Sequence, residues 1–342
     1  MKINIISDLK HFKTLEKEWD SLYKIQKNSF FQSFSFNYYS WVNILSINNS
    51  NILSIVVVRD DGFLKAIFPF YISSGLVRFI CDIHADFCDI ILDSGYQVDF
   101  DQIIQVLRNK RSIQGFRLIN LCKDATFKAN TQNYKYSYSN IITKYSYINL
   151  VKGDFPSNTN MPSKQRYNIN KIIQKDIGIH HLLSTEDLDP FPYKDIINLR
   201  DVMIRSGFRN KNFLNKQWLL FLQDLYSRGL FQISLIKNND KVHAISFIMR
   251  SNNVRMFWID LFSNIPRANI YNYVSYMSLI SKSFNNIEMH FGRGLYPYKI
   301  RNFSPSVKEL MEVSIYFNPI IYYFFLIKKW IATMLIHQYK NK

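Results

Sequence analysis

Cysteine is scarce: the 342 residues contain three, Cys81, Cys88 and Cys122, with no CxxC pair and no histidine cluster beside them. An odd, scattered set excludes a disulfide scaffold and a zinc ribbon, and it reads as buried thiols in a reducing compartment. Glycine and proline are also few, 10 and 9, which excludes a collagen-like or low-complexity chain. The N-terminus, MKINIISDLKHF, lacks an apolar core after its first lysine and lacks a small-residue cleavage site, so a cytoplasmic protein is expected. Acids are outnumbered, 26 Asp+Glu against 43 Lys+Arg, and the net charge of +17 favours an anionic partner. That partner could be a polyphosphate cofactor, a nucleic acid, an anionic glycan or a phospholipid surface. A helix-turn-helix, zinc-finger or RNA-recognition signature is missing, so nucleic acid is not the expected choice. A long apolar run is missing too. Pro319 to Ile336 is apolar except for Lys328 and Lys329, which interrupt the roughly 20 residues that a bilayer-spanning helix requires. This segment reads as an amphipathic helix ahead of a basic tail, His337 to Lys342, either capping the second domain or making peripheral contact with the inner face of a membrane.

What the chain has is apolar and aromatic bulk, 47% hydrophobic and 16% aromatic residues, enough for two ordinary cores at about 150 residues per domain. Periodicity predicts a strand at Lys2 to Ile6, a helix from Asp8 to about Gln26 with Leu15, Trp19 and Leu22 on one face, and an aromatic helix from Phe30 to Ile47. A meander follows over Asn51 to Arg59, Phe63 to Ile72 and Leu76 to Cys81, turning at Asp61-Gly62. Then come a strand at Asp86 to Leu92, a helix at Asp99 to Lys110 and a strand at Phe116 to Cys122. Lys123 to Pro162 is polar and broken by Gly153, Pro156 and Pro162, and it reads as a connection carrying one strand near Ser146 to Leu150. A second cycle consists of a basic helix (Ser163 to Asp176), a strand (Gly178 to Leu183), helices at Tyr193 to Ser206 and Asn215 to Ser227, and strands at Leu230 to Ile236, Lys241 to Arg250 and Val254 to Leu261. A helix from about Ala268 to Phe284 and a strand at Ile287 to Phe291 complete it. Both halves share one element order, which suggests a duplicated α/β (α+β) fold with domains at 1–145 and 146–315 and a terminal helix at 316–342.

One turn stands out chemically. Gly292-Arg293-Gly294 follows a predicted strand and leads to Tyr298-Lys299. Two glycines around an arginine let backbone N–H groups and a guanidinium approach an anion, and Lys299 beside Tyr298 could meet an oxyanion or phosphate. A tight turn with solvated charges is the competing reading. The basic run Lys164, Arg166, Lys171 and Lys175 is either a solvated face or a set of phosphate contacts. His180 and His181 point to opposite faces of a strand and cannot share a metal. His243 and His290 read as packed, and Asp82, His84, Asp86 and Asp89 suggest an acceptor-binding loop more than a metal site, so no metal is expected.

The residues Phe291-Gly292-Arg293-Gly294, Tyr298-Lys299 and Phe303 resemble a signature of the CelD-like, cellulose-biosynthesis-associated acyltransferases of the GNAT superfamily, which are similar in turn to the Fem-type aminoacyltransferases. Trp19-Asp20-x-Leu22, Phe31-Gln32-Ser33, Trp41, Val56-Val57-Val58-Arg59, Ala66-Ile67-Phe68-Pro69-Phe70, Lys164 with Arg166, and Asp260 extend the resemblance over nearly the whole chain. It implies two tandem GNAT-like domains, each a mixed, mostly antiparallel sheet flanked by helices. It further implies acetyl-CoA or another acyl-CoA held where two central strands splay, with its diphosphate on the loop Arg267, Ala268, Asn269, Ile270 and Tyr271. The superfamily normally has a glycine in that loop; here Asn269 is the residue that best tolerates left-handed geometry. By the same resemblance Lys299 and Asp260 are the catalytic residues, and Arg293, Tyr298, Lys164 and Arg166 face the acceptor.

The function expected is acyl transfer from acyl-CoA to an amine or hydroxyl of a small-molecule, lipid-linked or nucleotide-linked sugar, a precursor of surface polysaccharide. The competing readings are a basic protein that binds nucleic acid or an anionic membrane, and a degenerate GNAT that has lost its cofactor.

Overall fold

The computed structural model describes every residue except 26–28, 81, 130–133, 158, 176, 252 and 341–342, so Cys81 and the helix ends expected at Gln26 and Asp176 lie outside the described residues. The chain order begins β1 (Lys2–Ile6), α1 (Leu9–Thr14), α2 (Glu16–Ile25), α3 (Phe34–Ser40), β2 (Ile52–Leu53), β3 (Ile55–Asp60), β4 (Phe63–Phe68), β5 (Phe70–Ser73), β6 (Leu76–Phe79), β7 (Ile91–Leu92), α4 (Phe100–Lys110), β8 (Gly115–Cys122), α5 (Thr126–Ala129) and β9 (Ser137–Val151). It continues α6 (Ser163–Ile173), β10 (Ile179–Leu183), α7 (Tyr193–Arg205), α8 (Lys216–Ser227), β11 (Phe231–Asn238), β12 (Lys241–Ser251), β13 (Val254–Phe262), α9 (Ala268–Ser283), β14 (Asn286–Arg293), α10 (Pro297–Phe303), β15 (Ser306–Tyr316) and α11 (Pro319–Lys340). Two compact units result. The first comprises Met1–Asn28, Leu45–Ile142 and Leu310–Lys342, the second Ser29–Ile44 and Thr143–Glu309.

In the first unit, helix starts follow their capping residues. The Asp8 carboxylate accepts from His11 N–H at α1, and Asp99 accepts from Asp101 and Gln102 N–H at α4. The single helix expected from Asp8 breaks at Leu15 into α1 and α2, while Phe12, Leu15, Trp19 and Leu22 still turn inward. The expected meander is a crossover instead. Ser54 and Pro69 interrupt the runs, so β3 and β4 lie in a sheet of order β1-β3-β4-β7, while β2 and β5 pair in the order β15-β8-β6-β5-β2. Proline has no N–H for a ladder, and a run that contains one must change partners there. The strand expected from Asp86 shrinks to Ile91–Leu92 because side chains hold the preceding loop. Asn120 Nδ2 donates to Asp82 O and Ala85 O, and the Asp89 carboxylate accepts from Thr126 and Phe127 N–H. Phe68, Phe70, Phe79, Phe100, Phe116 and Phe127 fill the core, with Phe100 and Phe127 meeting edge-on at 4.9 Å.

Two expectations about the chain's later segments are corrected. The polar stretch before Pro162 contains the 15-residue strand β9, whose Tyr, Ile and Thr residues suit a half-exposed sheet despite the Asn and Ser between them. The terminal helix belongs to the first unit, not to the second. It packs on the first, where Tyr322 Oη donates to Ser137 O at 3.1 Å, Phe325 meets Tyr138 at 5.4 Å and Lys329 Nζ donates to Glu312 at 2.5 Å.

The second unit has the strand order β10-β11-β12-β13-β14-β9, antiparallel except for β13 and β14. Helix α9 packs on β10 to β13 and α7 on β12 and β13. Ser29–Ile44 joins this unit through rings: Phe31 and Phe36 lie 6.0 and 5.8 Å from Trp258, and Phe36 lies 5.4 Å from Phe221. Each unit is a mixed, mostly antiparallel sheet arrangement flanked by helices, in agreement with the expected fold class.

Gly115 supplies a test of the β8–β15 pairing. A Cβ there would lie 2.1 Å from the backbone oxygen of Ile315, which cannot move without breaking the ladder. Gly115→Ala is expected to cost about 2 kcal/mol or more, read as a lower urea midpoint.

Candidate functional site

The parallel pairing of β13 with β14 covers only Val254, Arg255 and Met256 against Glu288, Met289 and His290. The next residues, Phe257 and Phe291, carry rings stacked at 6.0 Å, and Tyr273 lies parallel to Phe257 at 4.0 Å. Phe303 closes the group at 4.7 Å from Phe291. Bulk is thus packed where the two strands part, and these rings belong to the buried core under α9.

Asp260 sits farther along β13, opposite Ser246 of β12. Its position depends on a register shift between Phe247 and Ile248 that leaves Trp258 as an extra residue. Three residues apart on a regular strand, Phe257 and Asp260 would face opposite sides; the bulge brings both against Tyr273. The Asp260 carboxylate accepts from Ser246 Oγ at 2.7 Å and, at its other oxygen, from the Tyr273 hydroxyl. Burial pushes its pKa up, while the bonds from Tyr273 and Ser246 and the charges of Lys299 and Arg209 pull it down.

The bonding continues inward with a definite polarity. Asn272 Nδ2 donates to Ser246 Oγ at 3.0 Å and to Ser234 O at 3.0 Å, and Ser234 Oγ donates to Asn272 Oδ1 at 2.7 Å. The Ser234 hydroxyl hydrogen being spent, His180 Nε2 at 2.9 Å is the donor to Ser234 Oγ. His180 remains neutral at pH 7, because burial and His181 lower its pKa to about 4. The side-chain bonds from His180 through Ser234, Asn272 and Ser246 therefore all donate in the direction of Asp260. The Asn272 amide in its middle carries polarity but not a proton, so the row fixes and stabilises the carboxylate. On the other side, Tyr273 and the half-buried Tyr298 bring their hydroxyls to 3.5 Å, and burial raises the pKa of both.

Lys299, on α10, is 3% exposed. Its ammonium donates to Phe291 O and, at 3.4 Å, to Arg293 O and Gly294 O, and it lies 4.9 Å from the centre of the Tyr296 ring. It fixes the end of β14 and acts on Asp260 through its field. Gly294 has φ +88°, and a Cβ there would come within 2.9 Å of Tyr296, so this turn requires glycine. Arg293 pairs in register with Tyr145 of β9. Lys164 is exposed in the first turn of α6, and Arg166 bonds locally to Ser163 Oγ at 3.3 Å.

The loop into α9 departs from expectation in one respect: the left-handed residue is Arg267, with φ +68°, and Asn269 is helical. Arg267 is exposed, Ala268 N–H is spent on Ile265 O at 3.2 Å, and Tyr271 N–H goes to Arg267 O at 2.9 Å. The Tyr271 hydroxyl donates to Gly178 O at 3.4 Å. By helix geometry the first-turn donors left for an anion are Asn269 and Ile270 N–H. Beside this loop is a groove of about 830 Å³ lined by α7, the β11–β12 turn and Ser263 to Pro266. Two of its acids are neutralised, Asp201 by Arg200 at 2.7 Å and Asp240 by Lys237 at 3.0 Å. Among the described residues, no carboxylate lies within ion-pair distance of its Lys194, Arg205 or Lys241. Also among the described residues, no three His, Cys, Asp or Glu side chains gather to hold a metal ion.

The sequence reading brought Asp260, Tyr298 and Lys299 forward. It missed Tyr273, Ser246, Asn272 and Ser234, and it treated His180 as bland. Polar residues at Ser234 and Ser246 inside apolar strand runs, and Asn272-Tyr273 inside a helix, were the available signals.

No protein-family model matches the chain, and no curated protein matches it in sequence. Solved structures do match in fold. The C-terminal domain of a putative lysylphosphatidylglycerol synthetase from Agrobacterium fabrum is 12% identical, with a TM-score of 0.58 over 92% of this chain and 95% of that one. FemX is 9% identical, with a TM-score of 0.60 over 91% and 97%. A tandem GNAT protein from the clavulanic acid biosynthesis pathway is 8% identical, with a TM-score of 0.50 over 91% and 98%. The fold is thus the tandem GNAT-like arrangement that the sequence led us to expect.

Linkage gives a direct check on Asp260. A carboxyl whose folded pKa is raised contributes stability below its unfolded value, about 4, and that contribution is lost as pH rises through the folded value. Asp260→Asn stays neutral, so its stability relative to wild type should improve from about pH 4 upward and level off once the pH has passed the raised folded value, as measured by urea midpoints across the pH range.

Proposed function

We propose that the second unit transfers an acyl group from acetyl-CoA or another acyl-CoA to an amine or hydroxyl. The observation that carries this reading is Asp260, a carboxylate with a raised pKa fixed by Ser246 and Tyr273 just beyond the parting of two parallel strands. Burial makes such a group a stronger proton acceptor than an ordinary carboxylate. The donor substrate supplies a thioester whose carbonyl carbon is attacked. As the new N–C or O–C bond forms, Asp260 takes the proton of the attacking group. As the C–S bond breaks, Tyr298, kept protonated by its raised pKa, gives a proton to the sulfur and recovers one from Asp260 through Tyr273. Lys299 holds the Gly292–Gly294 turn and lends Asp260 positive field.

The residues present suit a polyphosphate. Asn269 and Ile270 N–H at the start of α9, with Arg267, offer an anion site, and Lys194, Arg205 and Lys241 outweigh Asp195 to leave the adjacent groove net positive. Arg293, Lys164 and Arg166 are the side chains we assign to the acceptor. That acceptor is a lipid- or nucleotide-linked sugar precursor of surface polysaccharide, an assignment resting on the resemblance of the Phe291 to Phe303 segment to CelD-like acyltransferases.

The test is release of free CoA from acetyl-CoA and longer acyl-CoAs with a panel of nucleotide-linked amino sugars. Wild type should turn over and Asp260→Asn should lose about 100-fold in kcat, while acetyl-CoA should raise Tm in both. A folded protein whose Tm no acyl-CoA moves overturns the proposal and leaves a degenerate GNAT fold.

Arg267→Gly separates folding from binding at the loop. Removing a non-glycine residue from left-handed geometry should stabilise the chain by about 1 kcal/mol, while loss of the guanidinium weakens acyl-CoA binding. Calorimetric titration together with the Tm reads both effects.

A further inference from the structure

The C-terminal helix α11 has two apolar faces, and among the described residues the contacts with the first unit fall on one of them. Tyr322, Phe325 and Lys329 face the first unit through Ser137, Tyr138 and Glu312. The opposite stripe, Ile320, Tyr323, Phe324, Ile327, Trp330 and Ile331, recurs at helical spacing, and each of these residues is 46–64% exposed. Large apolar side chains aligned along a helix and left in water mark a surface that something covers.

Charge and side-chain type indicate what covers it. After Glu312 the sequence contains no Asp or Glu through residue 342, yet it contains Lys328, Lys329, Lys340 and Lys342. Lys328 is exposed next to Ile327 in the middle of the stripe. Against a second copy of the helix it would meet its own like charge in an apolar seam; at a lipid surface its stem lies along the tails while the ammonium reaches the headgroups. Trp330 and Tyr323 are the residue types that favour the boundary between headgroup and acyl chain. The helix is about 33 Å long, its other face is held by the first unit, and among the described residues no helix is long and apolar enough to cross a membrane. We propose that α11 lies flat on an anionic phospholipid bilayer, burying the Tyr323–Phe324–Ile327–Trp330 stripe among the acyl chains with Lys328 at the phosphates.

The experiment is co-sedimentation of the full chain with phosphatidylcholine vesicles, with and without about one-third phosphatidylglycerol. Wild type should sediment with the anionic vesicles and much less with the neutral ones. The triple variant Phe324→Ser, Ile327→Ser, Trp330→Ser should lose about tenfold or more of that partitioning, with an unchanged far-UV spectrum because its changes point away from the first unit. Lys328→Glu, a single exposed change that keeps the test alive if the triple variant does not fold, should lose about tenfold on anionic vesicles alone. Wild type remaining in the supernatant with both vesicle types overturns the proposal, as does either folded variant sedimenting like wild type. A concentration-dependent dimer that the triple variant abolishes assigns the stripe to a second copy and overturns it equally.

Discussion

A carboxylate drawn out of water must be bonded by its surroundings or give up its charge, and Asp260 shows the first solution carried nearly to completion. Both oxygens accept from hydroxyls, and each hydroxyl belongs to a residue whose own position is fixed. Ser246 is locked by Asn272, and Tyr273 is wedged against Phe257. This one constraint links five elements of the second unit, β10 to β13 and α9. The bulge at Trp258 turns Asp260 to the α9 side, the opposite ring of Trp258 draws in Phe31 and Phe36, and the row through Asn272 and Ser234 reaches His180 on the edge strand.

The same economy governs the glycine-rich turn. Lys299 directs its ammonium to the carbonyls of Phe291, Arg293 and Gly294, where β14 ends. That satisfies the backbone where the strand stops and places a fixed positive charge within reach of Asp260 without requiring contact. An arginine in left-handed geometry at the mouth of α9 is the locally unfavourable element in this region, and its exposed side chain stands beside a groove with cations to spare.

The sequence disclosed those parts of the fold in which one residue type dominates. Asp8 and Asp99 marked helix starts, and strands β11 to β13 are mostly apolar runs, so their places are within a residue or two of expectation. It concealed the parts that depend on distant partners. β9 is rich in Ser, Asn and Tyr because one of its faces is largely exposed, and β15 mixes Lys and Glu into its first half. Pro69 is legible as an interruption, but not as the point where the chain changes sheets. At the site, Asp260 was recognisable only through resemblance. Ser234, Ser246 and Asn272 were plain polar residues until the fold set them in a row, and a one-residue bulge cannot be read from alternation at all.

The first unit is assembled from three separate stretches of chain, and its share of strand β15, from Leu310 on, arrives after the second unit has been made. Synthesis from the N-terminus therefore leaves β8 without one neighbour while nearly two hundred residues emerge, from the end of β8 at Cys122 to the first paired residue of β15 at Leu310. The Thr143–Glu309 region, continuous apart from its early contribution Ser29–Ile44, has everything it needs sooner. Nascent chains stalled before β15 should accordingly hold a nearly complete second unit while the first still lacks a strand, so the direction of synthesis sets which unit matures first.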